Sequence, residues 1–160
     1  MASVHDVAAY ILQKMASVEP GGITTWKLQK LAYYSQAWSL VWDDQPLFPE
    51  RIEAWANGPV CPVLYDQHKG QFKVEKLPLG NVEALTKDEK DTIGKVIEFY
   101  AGKSSQELSQ LTHAEQPWIT ARGDLPPGER GRVVIEHDSM AEYYGGLYEV
   151  AVAAQAANAS

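Results

Sequence analysis

Residues 24–42 read TTWKLQKLAYYSQAWSLVW, and no other stretch constrains the fold as strongly. Leu28, Leu31, Ala32, Ser35, Trp38 and Trp42 recur at helical spacing, while Tyr33, Ala37, Leu40 and Val41 lie off that stripe and are apolar too. A helix that is apolar on most sides must be enclosed by the rest of its domain. Either threonine at its start can cap it, and Asp43-Asp44-Gln45-Pro46 ends it. The chain is therefore expected to wrap other elements around this segment.

Those elements read mainly as helices. Val4, Val7, Ile11, Leu12 and Met15 predict a first helix over 3–17, stopped by Glu19-Pro20-Gly21-Gly22. Pro62 suits the first turn of a helix running to about His68. Thr86 with Glu89, Ser104 with Glu107 and Ser139 with Glu142 each have capping-box spacing and predict three more helices. Residues 51–56 and 72–77 read as short strands that could pair as a ribbon, with Asn57-Gly58-Pro59 as a turn signal. Gly123 to Gly131 is a Pro- and Gly-rich loop, and the small, polar tail 151–160 is expected to fray. The expected fold is mainly α: one domain over 1–150, about six helices around the 24–42 helix, and a minor two-stranded β element at 51–56 and 72–77.

The composition limits the chemistry. A length of 160 residues fits one domain. The net charge of −7 lies mostly in residues 81–160, which hold 7 basic and 13 acidic side chains. So acidic a chain argues against non-specific nucleic-acid binding. A lone cysteine, Cys61, rules out an internal disulfide and fits a reducing compartment. No long apolar run suggests a membrane span, and the opening residues lack a secretory signal, so a cytoplasmic location is expected. There is no Gly-rich phosphate loop and no nucleophile elbow, and neither a cofactor nor a metal is expected.

Several residues still have chemical potential. His113-Ala114-Glu115 has the H-x-E spacing of zinc deaminases, but no cysteine follows residue 61 to complete the ligand set. Pairing Cys61 with His113 as nucleophile and base has no support from spacing. Lys27 and Lys30 share a face in the first turns of the apolar helix, at the positive end of its dipole, where either a partner or a buried acid could neutralise them. Trp118 and Arg122 are four apart, so guanidinium and indole can stack. An enzyme reading would need His113, Glu115, Arg122 and Lys30 to converge in one pocket. Five Trp and eight Tyr serve a core or an interface, including one between copies of the chain, and spacing does not separate these uses.

Three segments together carry a family resemblance. Leu28-Gln29-Lys30-Leu31-Ala32-Tyr33-Tyr34 with Trp38, Glu53-Ala54-Trp55-Ala56-Asn57-Gly58-Pro59-Val60 with Pro62, Leu64 and Tyr65, and Leu111-Thr112-His113 with Glu115, Pro117, Trp118 and Arg122 occur in this order. The chain resembles the SocA-like, or Panacea, antitoxin domain family over about residues 4–150. The resemblance implies an antitoxin that binds a cognate toxin directly and has no catalytic residues. In one branch, such a protein delivers its toxin to a AAA+ protease. It also marks Gln29, Lys30, Tyr34, Trp55, Gly58, Pro59, His113, Glu115, Trp118 and Arg122 as signature positions. Tyr33 and Trp38 are expected in the core; Lys27, Lys30, Trp55, Trp118 and Arg122 are expected at the partner-binding surface.

Overall fold

The 24–42 segment is the structural centre. In the computed structural model, which describes residues 1–158, the elements run α1 (Val4–Met15), β1 (Ile23–Thr24), α2 (Thr25–Trp42), β2 (Glu53–Trp55), β3 (Gly58–Val60), α3 (Pro62–His68), β4 (Lys73–Val74), α4 (Lys87–Tyr100), α5 (Ser105–His113), α6 (Gln116–Arg122) and α7 (His137–Asn158). A short 3-10 turn at Val82–Ala84 precedes α4. Helices α1, α4, α5 and α7 and strand β3 all pack on α2, which is buried on every side along most of its length. Tyr33, Tyr34, Leu28 and Leu31 are among the largest fully buried side chains, and each such burial stabilises by roughly 1.5–3 kcal/mol.

Helix starts follow the local rules. Ser3 and Asp6 form a capping box on α1, Thr86 and Glu89 one on α4, and Ser104 and Glu107 one on α5. The Ser139–Glu142 box is not used: α7 begins earlier, at His137, and continues through Asn158. The tail expected to fray at 151–160 is thus helical as far as it is described, and positions 159 and 160 lie outside the described residues. Among the described residues the helices number seven; α6, with Pro117 in its first turn, joins the expected six.

The two extended segments do form strands, but not with each other. β2 pairs antiparallel with β3 across the Ala56–Asn57 turn, and β4 pairs with β1. The physical reason is proximity: a two-residue loop closes a local hairpin at little entropic cost. Pro59 fits this hairpin because its partner Ala54 turns its own N–H to the other side, where Val133 accepts it at 2.8 Å. Val134 bridges to Glu53 on that outer edge, so the loop after α6 lies against the hairpin. Among the described residues, no helix is long and apolar enough to cross a membrane.

Candidate functional site

The polar side chains buried along α2 are mostly clamps on the backbone of other elements. Lys27, only 3% exposed, donates to the Ala101 carbonyl at 2.7 Å and pairs with Glu19. Gln29 holds Cys61 from both sides, accepting from its N–H at 2.9 Å and donating to its carbonyl at 3.3 Å. Gln36 does the same for the chain at Leu47 and Phe48. Ser35 and Ser39 donate to the Leu31 and Gln45 carbonyls.

Lys30 is the exception. It is 1% exposed, and among the described residues its ammonium makes no hydrogen bond and no ion pair. It stands over the Trp26 ring, whose centre is 5.5 Å away. Burial pulls its pKa down from 10.5 to about 8. Gly58 makes the space: a Cβ there would stand 2.6 Å from Lys30 Cε and 3.1 Å from Nζ. With φ at +129°, the position also suits only glycine.

His113, at the end of α5, adds a second unpaired group. Its Nε2 is buried with no partner, and desolvation, opposed by a hydrogen bond to the Asn57 backbone, lowers its pKa, with the Lys30 charge adding to the effect. The imidazole stacks on Trp118, centroids 4.1 Å apart and planes at 15°. Trp118 Nε1 donates to the Trp55 carbonyl at 2.9 Å, tying α6 to the hairpin. Arg122 lies 5.5 Å from the Trp118 ring centre, the contact its spacing predicts. Its guanidinium donates to the carbonyls of Ala54, Pro126 and Glu129, which pins the loop after α6.

Beside this cluster opens a cleft of about 590 Å³. Trp26, 42% exposed, and the half-buried Trp55 and Tyr65 supply aromatic walls, and Lys69, Arg130 and Arg132 supply exposed cations. Among the described residues no carboxylate lines it, although the chain as a whole carries −7. Toward the base of the cleft, His68 takes a hydrogen bond from Gln29 at 2.9 Å, and burial lowers the pKa of this imidazole.

The expected site residues divide. Lys30, Gly58, Trp55, His113 and Trp118 come together from three separate segments, with Arg122 behind them. Pro59 is buried in β3. Tyr34 and Glu115 belong elsewhere: the Glu115 carboxylate accepts from Tyr34 at 2.6 Å and Tyr144 at 2.8 Å within the core. Burial raises the pKa of Glu115. The four-residue set of the enzyme reading is therefore not assembled, because Glu115 faces this tyrosine cage. Lys27, Lys30 and Arg122, expected at the surface, are buried, since their long stems pack inside while backbone carbonyls or rings take the charged heads. Cys61 is buried too, its thiol pushed up to about 11 by desolvation. Among the described residues, no group of three or more His, Cys, Asp or Glu stands where it could hold a metal ion.

Sequence reasoning missed Lys69, Arg130 and Arg132. The only signal for the arginines was Gly128-Glu129-Arg130-Gly131-Arg132, basic residues in a glycine-rich loop.

Fold and site together define a mainly helical domain in which three distant segments meet beside an acid-free, cation-edged cleft. The chain belongs to the family described as antitoxin SocA-like, Panacea domain, which matches residues 28–119. That span begins inside α2 and ends inside α6, and it contains each converging segment. No curated protein and no solved structure gives a significant match.

Proposed function

We propose that this protein is an antitoxin that neutralises a cognate toxin in the cytoplasm by binding it directly and covering its active surface. The carrying observation is the Lys30 ammonium, packed against Gly58 beside the stacked His113–Trp118 pair, which has no counter-charge among the described residues. A fold gains no stability from such an ammonium, whereas an interface can gain specificity from it. Aromatic and arginine anchors beside a polar rim are what a stable protein interface needs.

Co-expression with the product of the adjacent reading frame tests this. Neutralisation predicts restored growth and a complex that co-elutes on gel filtration; no rescue and no complex would sink the reading. Toxin half-life then separates masking from delivery. Masking leaves it unchanged or longer, whereas a half-life shortened only in the presence of a AAA+ protease would replace masking with an adaptor role.

A further inference from the structure

From the placement of Lys30 we infer that a carboxylate of an acidic, extended segment of the partner protein displaces the Trp26 indole and pairs with the Lys30 ammonium beside Gly58 and His113, while neighbouring acidic residues of that segment lie in the cleft against Lys69, Arg130 and Arg132. This inference rests on the antitoxin reading and names the partner's chemistry.

Charge complementarity carries the argument. Every other buried polar side chain of α2 described above has an acceptor; among the described residues Lys30 has none and stands over the face of Trp26. An indole face is a weaker partner than a carboxylate, so an incoming anion gains by the exchange. Trp26 lies in the first turn of α2, is exposed and lines the cleft, so its side chain can swing aside without disturbing the core. Among the described residues the cleft beyond it has three exposed cations, none in an ion pair, and no lining carboxylate. Arg122 presets two of them, because its three hydrogen bonds to carbonyls hold the loop that carries Arg130 and Arg132. Aromatic walls at Trp55 and Tyr65 suit apolar side chains between the acidic ones. A phosphate ligand is less well served: the α2 N-terminus is already occupied, Thr25 N–H donating to Phe72 and Lys27 N–H to Thr24.

The test uses the full-length protein with the co-expressed product of the adjacent reading frame. Lys30→Met is expected to weaken binding on the order of 100-fold while its unfolding midpoint stays level or rises, and Lys30→Arg is expected to recover part of the loss. The triple charge reversal of Lys69, Arg130 and Arg132 to Glu is expected to weaken binding at least about tenfold and flatten its salt dependence. Amine labelling followed by mass spectrometry should show Lys30 labelled faster in Trp26→Ala and protected in the complex. Full binding by Lys30→Met would overturn the inference and leave the antitoxin reading standing; absence of binding by the wild type would overturn both. An unfolded Lys30→Met would also overturn it, by showing that the ammonium is structural. Binding of a defined single-stranded oligonucleotide by the wild type, lost in the triple reversal, would reassign the cleft to nucleic acid and overturn it as well.

Discussion

Two lysines three residues apart on α2, Lys27 and Lys30, are both buried, but only Lys27 has found a carboxylate and a carbonyl. Their replacements are therefore predicted to act in opposite directions. Lys27→Met should destabilise by about 1–3 kcal/mol, because the Ala101 carbonyl at the end of α4 loses its donor. Lys30→Met should stabilise by about 1–3 kcal/mol at neutral pH, because it removes a desolvated charge that the Trp26 ring offsets only in part. Urea denaturation of both variants checks the pair.

The pH dependence gives an independent reading of the same ammonium. Lys30 has a folded pKa of about 8 against an ordinary 10.5. Between these values the unfolded chain holds the proton and the folded chain does not, so unfolding takes up a proton and stability rises with pH across that window. Wild type should gain relative to Lys30→Met from pH 8 to 10.5, and below pH 8 the difference should be constant. A gap that does not change over this range would refute the assignment.

Glu115 titrates with the opposite sign. Its folded pKa is raised by burial, so stability contributed by the protonated form is lost as pH rises from the ordinary 4.5 through the folded value. Glu115→Gln keeps an acceptor for Tyr34 and Tyr144 without the charge, and its stability relative to wild type should increase over that range. Glu115→Ala should instead be about 2–4 kcal/mol less stable than Glu115→Gln at every pH, because neither variant titrates and the Ala removes the acceptor that Tyr34 and Tyr144 share. Thermal melts from pH 4 upward distinguish the three proteins, and a wild type that gains on Glu115→Gln with rising pH would refute the prediction.

The contrast between these groups shows what the sequence conveys and what it does not. The enclosed α2 helix follows from an apolar pattern that leaves no polar face, and three starts, those of α2, α4 and α5, follow from caps whose bonds close within a few residues. Strands of two or three residues carry little alternation to set their pairing: β2 closes locally with β3, and the 72–77 segment pairs instead with the distant β1, which the sequence does not signal. The Ser139 box is locally valid but goes unused, because the start of α7 is fixed by the segment before it, where Ile135 N–H donates to the Ile52 carbonyl. Motif order brings Lys30, Gly58 and His113 into one list. That Glu115 turns away from them into a tyrosine cage depends on the packing of α7 over α2, which the spacing of residues 113 and 115 does not encode.

Gly58 should tolerate no side chain. Its positive φ and the approach of Lys30 both oppose a Cβ, so Gly58→Ala should destabilise by at least about 1–3 kcal/mol and displace Lys30. Gly146, on the exposed part of α7, has open space around it and no positive φ, and Gly146→Ala should be neutral or stabilising by up to about 1 kcal/mol. Paired melting curves of the two variants check both the sign and the difference.

Arg122 is predicted to act through the loop it holds. Its fork reaches carbonyls at Ala54, Pro126 and Glu129, a set that a lysine ammonium on a different stem does not span. Arg122→Lys should leave α2 and its core as protected against hydrogen exchange as in wild type while protection falls along 126–135. The release should also weaken partner binding by less than the triple charge reversal does, since Arg130 and Arg132 would keep their charge and lose only their preset position. Loss of protection spread evenly over the chain would mean that Arg122 supports the whole core, and unchanged protection at 126–135 would mean that the β2 pairing alone, through Ala54 to Val133 and Ile52 to Ile135, holds the loop.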